Sequence, residues 1–272
     1  MSSLSPVATT PIAKRFQELK ARGEKALIPY VTAGDPNLAT TFEALKLLDQ
    51  NGADIIELGV PYSDPLADGP VIQAAATRSL AQGTRLEHIL NGLPALNLSA
   101  PVVLFTYFNP ILRVGIPQFM QRIKSSGCSG LVVPDLPLEE SQPLLDAAAA
   151  AGIDVIMLVA PTSPLDRMQE IAEKSSGFIY LVSTTGVTGM RAQMATRVKD
   201  LIADLRSRTE LPIAVGFGIS GPEQAKQVVD WGADAAVVGS AFVKKLGDAA
   251  TPAAGLESVG QFCGELKGAI GS

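Results

Sequence analysis

Short apolar segments and longer amphipathic segments alternate along this chain. The apolar segments are rich in Val, Ile and Leu, which is typical of strands buried on both faces. They lie at residues 26–34, 53–61, 101–110, 130–137, 154–161, 177–186, 212–220 and 233–241. Each predicted strand is followed by a segment with helical spacing of its apolar residues. Several of these helices end in glycine, which helix C-caps prefer: Gly52, Gly127, Gly152, Gly177 and Gly232.

This alternation predicts parallel strands joined by helical crossovers. Eight such units in 272 residues fit one closed (β/α)₈ barrel, a TIM barrel of the α/β class, with a doubly wound open sheet as the alternative. An amphipathic segment, "IAKRFQELKARG" (12–23), predicts an extra helix before the first strand. Because no linker rich in Gly, Ser or Pro divides the units, we expect residues 1–272 to form a single domain.

Composition excludes several classes of function. The net charge is −5 and lysines and arginines form no run longer than a pair, which argues against nucleic acid as a partner. The N-terminus lacks the apolar core of a signal peptide, and every later apolar run is shorter than the ~20 residues of a membrane helix. We therefore expect no membrane association and a location in the cytoplasm, or in the plastid stroma of a host that has plastids.

A metal site of several histidines is excluded, because His88 is the only histidine. Cys128 and Cys263 are isolated, and we expect both to be inert, packed thiols rather than a disulfide or a thiolate metal site. No metal site is predicted. The lysines lie in helical segments or beyond the strands, so none is placed for a Schiff base. What remains is acid–base chemistry by carboxyl groups.

In a barrel of this kind, catalytic residues lie at the C-terminal ends of the strands and in the loops that follow. Glu57 lies inside the second predicted strand between apolar neighbours, so its carboxyl should point into the barrel. Burial there raises the pKa of a carboxyl group, which suits proton donation and acceptance near neutral pH. The alternative is a structural acid paired with the backbone or a buried cation.

Two further acids follow in "SDPLADGP" (63–70), a loop stiffened by prolines. Asp68 could accept a hydrogen bond from a substrate N–H and stabilise developing positive charge. Equally, Asp68 or Asp64 could simply cap the helix that follows. Tyr180, on the sixth predicted strand, could reach the mouth of the barrel, although a tyrosine in a strand is more often part of the core.

Glycine-rich segments follow three consecutive strands: "TTGVTG" (184–189), "GFGIS" (216–220) and "GS" (239–240). Glycine allows backbone N–H groups to approach an anion, and helix N-termini add a favourable dipole. All three segments lie at one mouth of the predicted barrel. They indicate a phosphate site without a basic side chain, unless they are ordinary turn glycines.

Seven segments together resemble the tryptophan synthase alpha chain family, in order and across nearly the whole chain. They are "PYVTAGDP" (29–36), "GADIIELGVPYSDPLADGPVIQ" (52–73), "TYFNP" (106–110), "VPDLPLEES" (133–141), "STTGVTG" (183–189), "GFGIS" (216–220) and "GSAFVK" (239–244). The resemblance implies a barrel that cleaves indole-3-glycerol phosphate to indole and glyceraldehyde 3-phosphate, with no metal or organic cofactor of its own.

The resemblance also implies roles for individual residues. Glu57 matches the general acid/base, Asp68 the carboxylate that binds the indole N–H, and Tyr180 an active-site tyrosine. The remaining substrate-binding positions that it implies are Tyr30, Phe105, Thr188, Gly189, Gly216, Gly218, Gly239 and Ser240. The implied partner is a beta chain that holds pyridoxal phosphate, in an alpha2-beta2 heterotetramer. Positions that would face it are Asp64, Asn109, Asp135 and Pro137.

Other functions use some of the same features. Another sugar-phosphate barrel, such as an isomerase or epimerase, would use the same glycine segments. A stand-alone lyase that releases indole would use the same catalytic residues. A barrel that chiefly binds ligand and activates its partner would not need both Glu57 and Asp68.

Overall fold

The computed structural model describes residues 9–182, 191–216 and 218–271, with the backbone alone for residues 191–196. Nine parallel strands lie within these residues. They are β1 (Ala26–Thr32), β2 (Ile56–Gly59), β3 (Val102–Phe105), β4 (Cys128–Val132), β5 (Asp154–Val155), β6 (Leu158–Val159), β7 (Ile179–Val182), β8 (Ile213–Gly216) and β9 (Ala235–Val238).

The strands close into a ring. Their order is β5-β4-β3-β2-β1-β9-β8-β7-β6, so the two ends of the sheet are β5 and β6. Only residues 156 and 157 separate these two strands. The N–H of Ile156 donates to the Leu131 carbonyl at 2.9 Å, and the Met157 carbonyl accepts from the N–H of Tyr180 at 3.1 Å. The fifth predicted strand is therefore split in two, and the predicted barrel is confirmed.

The described residues contain twelve α-helices. They are α1 (Pro11–Arg22), α2 (Leu38–Gln50), α3 (Pro70–Ala81), α4 (Leu86–Gly92), α5 (Phe108–Val114), α6 (Ile116–Ser125), α7 (Gln142–Ala151), α8 (Leu165–Lys174), α9 (Arg191–Arg206), α10 (Pro222–Asp230), α11 (Ser240–Gly247) and α12 (Pro252–Ile270). Short 3₁₀ helices occupy Leu93–Leu96 and Leu138–Glu140. In the part of the chain that the structure describes, no helix is both long and apolar enough to span a membrane.

The five predicted C-cap glycines all adopt a positive φ, between 68° and 103°. In this region a side chain would be strained, and glycine lets the chain leave each helix and turn into the next strand. The predicted N-terminal helix is also present, as α1. Its first turn is capped by Thr10, whose hydroxyl accepts from the N–H of Ala13 at 3.2 Å.

The strands are shorter than the apolar segments that predicted them. β3 ends at Phe105, and Asn109 lies in α5 rather than at a strand end. Pro110 fits the first turn of this helix, where a missing N–H costs no hydrogen bond. Asp135 was also predicted on a strand, but β4 ends at Val132 and Asp135 lies in the turn that follows. Its side chain accepts from the N–H of Phe108 at 2.9 Å, so it joins the turn after β4 to the first residue of α5.

Two apolar layers hold the barrel. The outer layer lies between the sheet and the helices and includes Ile56 and Leu58 of β2. The inner layer lies inside the barrel, where Ile55 packs with residues of α1 such as Phe16. α1 therefore closes the N-terminal end of the barrel. Full burial of each large apolar side chain contributes roughly 1.5–3 kcal/mol to the stability of the fold. Because α1 closes the N-terminal end, the C-terminal end is the one available for a site.

Candidate active site

Glu57 points into the barrel near its C-terminal end. Successive side chains of a strand alternate between faces, and Ile56 and Leu58 pack on the outside, so Glu57 shares the inner face with Ile55. It pairs in register with Tyr30 on β1 and with Val103 on β3. The side chain is only 2% exposed. The structure therefore places a carboxyl group in an apolar interior, as predicted.

This environment favours the neutral acid. Burial, and then the nearby charge of Asp68, raise the pKa of Glu57 to about 8, while hydrogen bonding by Tyr180 opposes the rise. The Oε1 atom has no hydrogen-bond partner among the described residues. Most buried polar atoms in a fold are paired, because an unpaired one destabilises it. The unpaired oxygen of Glu57 is therefore available to a ligand.

Asp68 lies in the loop between β2 and α3 and is half-buried. Burial raises its pKa to about 6, and a hydrogen bond from Tyr107 opposes the rise. The N-cap of α3 is Gly69, with no side-chain cap bond, so the helix-cap alternative for Asp68 is not what the structure shows. The charge of Asp68 raises the pKa values of Glu57, Tyr30 and Tyr180, which places these groups around one space.

Tyr107 is a site residue to which the sequence assigned no role. It directly precedes α5 and is 2% exposed. Its hydroxyl accepts from the N–H of Ala67 at 3.0 Å and is hydrogen-bonded to Asp68. Its ring stacks on that of Tyr62, with centroids 4.9 Å apart. The sequence signal was an aromatic residue at the end of an apolar run, which does not reveal its contact with a loop forty residues earlier.

Aromatic rings form part of the wall around the two acids. Tyr30 and Phe105 meet edge to face, with centroids 5.9 Å apart, and Phe105 also meets Tyr107 at 6.4 Å. Tyr180 lies on β7 and reaches Glu57 from the opposite side of the barrel. Burial raises the pKa values of Tyr30 and Tyr180 well above the ordinary value, so both keep their hydroxyl protons. Ring faces and edges of this kind can pack against a flat aromatic ligand.

Two glycines make room for these tyrosines. A Cβ at Gly216 would lie 2.7 Å from the Tyr180 ring and 2.9 Å from its hydroxyl. A Cβ at Gly59, which the sequence did not single out, would lie 2.0 Å from the Tyr30 hydroxyl. Both approaches are shorter than real Cβ contacts allow. Gly216 therefore makes room for Tyr180 inside the barrel. This role is separate from the phosphate binding predicted for Gly216.

The other predicted anion-binding positions differ in how much the structure shows. Gly218 has a φ of 49°, and Gly239 directly precedes α11, of which Ser240 is the first residue. The Cβ position of Gly239 is 3.7 Å from Tyr30, so the start of α11 adjoins the aromatic wall. Thr188 and Gly189 lie outside the described residues.

The four predicted partner-facing residues are exposed at the C-terminal end of the barrel, Asn109 in the first turn of α5 and the other three on loops. Asn109 donates to the Tyr62 hydroxyl at 3.2 Å, and Asp135 accepts from the N–H of Phe108. Asp64 lies in the loop that carries Asp68, and Pro137 directly precedes the 3₁₀ helix at 138. Leu66, in the same loop as Asp64, is 82% exposed. These loops form one rim beside the mouth.

Fold and site together define a class of protein. A closed parallel barrel carries two acids with raised pKa values at its C-terminal mouth, inside an aromatic wall. Over the residues that the structure describes, no group of three or more His, Cys, Asp or Glu side chains could hold a metal ion. The arrangement is that of a TIM-barrel enzyme that works by general acid–base chemistry.

Comparison with known proteins identifies the family. The family model for the tryptophan synthase alpha chain matches residues 16–271. The alpha chain of Acaryochloris marina is 59% identical over 263 residues, 96% of this chain and 98% of that protein. That of Trichormus variabilis is 60% identical, with the same coverage. The chain belongs to the tryptophan synthase alpha chain family.

Solved structures agree with this assignment. The alpha subunit from Legionella pneumophila superposes with a TM-score of 0.88 at 34% identity, covering 97% of this chain and 99% of that chain. A chain from tryptophan synthase of M. tuberculosis superposes with a TM-score of 0.87 at 33% identity, covering 96% and 99%. The resemblance inferred from the seven sequence segments is therefore confirmed.

Proposed function

We propose that this chain is the alpha subunit of a tryptophan synthase and cleaves indole-3-glycerol phosphate into indole and glyceraldehyde 3-phosphate. The reaction is a retro-aldol cleavage by a carbon–carbon lyase. One observation carries the catalytic assignment: Glu57 is a buried carboxyl with one unpaired oxygen and a pKa of about 8, beside Asp68 and Tyr180 at the mouth of the barrel.

Glu57 is the proton donor and acceptor in this proposal. The bond between indole C3 and the first glycerol carbon breaks only after C3 has been protonated, since neutral indole is then the leaving group. Protonated Glu57 gives this proton and becomes a carboxylate. The carboxylate then takes the proton of the hydroxyl on the first glycerol carbon, which becomes the aldehyde. The two transfers return Glu57 to its starting state.

Asp68 stabilises the charge that appears on the ring. Protonation at C3 makes the indole nitrogen an iminium N–H, and a carboxylate that accepts its hydrogen bond lowers the energy of that state. With a pKa of about 6, Asp68 is ionised at neutral pH while Glu57 is protonated. Two carboxyl groups with separated pKa values can thus take opposite roles.

The surrounding residues orient the substrate. Tyr30 and Phe105 offer ring faces and edges to the indole, and the Tyr180 hydroxyl adjoins Glu57. For the phosphate we propose Gly216, Gly218, Gly239 and Ser240, together with Thr188 and Gly189. The start of α11 supports this assignment, because a helix N-terminus presents free N–H groups and a positive dipole to an anion.

We propose that the chain uses no cofactor of its own and that pyridoxal phosphate is held by a partner beta chain. Asp64, Asn109, Asp135 and Pro137 would contact that chain in an alpha2-beta2 assembly, and the exposed Leu66 beside Asp64 supports a contact there. A cytoplasmic location is part of the same proposal.

The test is indole release from indole-3-glycerol phosphate by the purified chain, alone and with a beta chain. We expect slow release that rises with the partner and disappears in Glu57→Gln. The analogue that lacks phosphate should react much more slowly, mainly through a higher KM. Full activity without any response to a beta chain would instead identify a stand-alone indole-releasing lyase. If no indole is released under any condition, the substrate would instead be another sugar phosphate.

A further inference from the structure

We propose that Arg78 and Asp35 form a positioning pair that holds α3 against α11, and so sets the distance between the Asp68 loop and the start of α11. Neither residue was singled out by the sequence. The inference rests on the proposed function, because it concerns how the two halves of that site are held together.

The pair has the geometry of a strong, specific contact. Arg78 Nε donates to Asp35 Oδ1 at 2.7 Å, and Nη2 donates to Oδ2 at 2.8 Å. Asp35 is 2% exposed, although Arg78 is 40% exposed at its side chain. A bidentate contact between guanidinium and carboxylate fixes orientation as well as distance. Neither group reaches the reacting atoms in the proposed mechanism, so the pair can affect catalysis only through the position of other residues.

The pair joins elements that meet at the mouth. Asp35 lies in the loop after β1, two residues beyond Ala33, whose carbonyl accepts from the Ser79 hydroxyl at 2.6 Å. Arg78 and Ser79 therefore tie the last turns of α3 to this loop. Gly69, the N-cap of α3, directly follows Asp68, and the first turn of the helix begins at the next residue. Any shift of α3 along or across its axis would move Asp68.

α11 packs on the same pair at its C-terminal end. A Cβ at Gly247, the last residue of α11, would lie 2.4 Å from Arg78 Nη2 and 2.9 Å from Asp35 Oδ2. Glycine here lets the helix approach the ion pair closely. At the other end of α11, the Cβ position of Gly239 is 3.9 Å from Ile72 of α3. The two helices thus touch near the site and are held together at the far end by the pair.

Two kinds of variant test this arrangement. Arg78→Met keeps most of the apolar stem and removes the guanidinium, whereas Arg78→Lys restores one charge without the bidentate geometry. Gly247→Ala keeps the pair but inserts a methyl group between it and α11. The matched controls are Arg206→Met and Gly264→Ala. Arg206 pairs with Asp234 at the other end of the barrel and is likewise 40% exposed, and a Cβ at Gly264 meets nothing within 4 Å.

The readouts are indole release and the affinity for glycerol 3-phosphate, measured by calorimetry well below the unfolding temperature of each variant. We expect Arg78→Met and Gly247→Ala to weaken glycerol 3-phosphate binding about fivefold and to lower kcat about tenfold. Arg78→Lys should recover part of the loss. Both controls should leave binding and kcat within about twofold.

A merely structural pair would lower the unfolding temperature of Arg78→Met and leave binding and kcat unchanged, which would overturn the inference. Equal losses in the controls would overturn it as well. If wild type binds glycerol 3-phosphate but releases no indole, the proposed reaction fails while the binding comparison still decides the role of the pair.

Discussion

Asp54 and Glu57 are buried acids three residues apart, at 4% and 2% exposure, yet their surroundings differ completely. Asp54 lies at the N-terminal end of the barrel, where its Oδ2 accepts from the N–H of Leu27 and from Lys267, each at 2.8 Å. Glu57 lies at the C-terminal end with an unpaired oxygen and a raised pKa. Burial therefore does not distinguish a structural acid from one that is proposed to be catalytic. For Asp54 and Glu57, hydrogen-bond pairing and position in the barrel do.

The largest effect that we expect is a loss of activity when Glu57 is changed. Glu57→Gln keeps the shape of the side chain and removes the transferable proton. We expect kcat for indole release to fall at least about a thousandfold, which is within the usual contribution of a general acid and base. The measurement is single-turnover release of indole. The variant should be no less stable than wild type at pH 8, because the amide cannot ionise in the apolar interior. Activity within tenfold of wild type would contradict the role.

Asp54→Asn should show the opposite pattern. The amide keeps an acceptor for the N–H of Leu27 but loses the charge that pairs with Lys267, a residue of α12. Loss of a charged hydrogen bond from a buried carboxylate costs about 2–3 kcal/mol of the free energy of unfolding. Urea unfolding measures this loss, and kcat at 25 °C should stay within about twofold. A large loss of kcat at unchanged stability would remove the distinction between the two acids.

The comparison also shows which parts of the molecule a sequence can predict. Eight repeats of strand and helix, glycine C-caps and an amphipathic first helix are local patterns, and each was recovered because local spacing determines it. The split of the fifth strand, the end of β3 before Asn109 and the turn that holds Asp135 were not predicted. They depend on hydrogen bonds between distant segments, such as the one from Phe108 to Asp135.

In the candidate site, too, some features could be predicted from the sequence and others could not. Glu57, Asp68 and Tyr180 could be proposed from residue type and barrel position, and the structure brings the three together. The contact of Tyr107 with Asp68 and the pairing of Asp35 with Arg78 join residues about forty positions apart. No periodicity in the chain encodes such contacts. The order of the pKa values of Glu57 and Asp68 likewise follows from burial in three dimensions.

The pH dependence of kcat/KM should report both acids of the mouth. The proposed mechanism uses ionised Asp68 and protonated Glu57, so activity should rise as pH passes about 6 and fall as pH passes about 8. The charge of Asp68 raises the pKa of Glu57, so in Asp68→Asn the residual activity should fall at a lower pH than in wild type. The substrate phosphate also ionises near pH 6. An acidic limb that persists unchanged in Asp68→Asn would belong to the phosphate and not to Asp68.

Tyr107→Phe should have a smaller effect in the same region. The hydroxyl stabilises ionised Asp68, so its removal should raise the pKa of Asp68 and move the acidic limb above about pH 6. The N–H of Ala67 also loses its acceptor, and we expect kcat to fall about tenfold, equal to about 1.4 kcal/mol. Tyr62→Phe is the matched control, because Tyr62 stacks on the same ring but bonds Asn109 instead. Identical pH profiles for Tyr107→Phe and wild type would exclude the proposed contact.

Asp154→Asn should have the smallest effect on activity, and it tests most directly whether position in the barrel distinguishes Glu57 from other buried acids. It is 4% exposed and its Oδ2 has no partner among the described residues, so by pairing alone it resembles Glu57. It lies, however, at the start of β5, the N-terminal end of the barrel, where substrate does not reach. Burial raises the pKa of Asp154, so the ionised form costs stability as pH rises through that pKa. We expect Asp154→Asn to keep kcat/KM within about twofold and to unfold at an equal or higher urea concentration at pH 7. A clear loss of indole release would mean that an unpaired buried acid matters at either end of the barrel, and position would no longer distinguish Glu57.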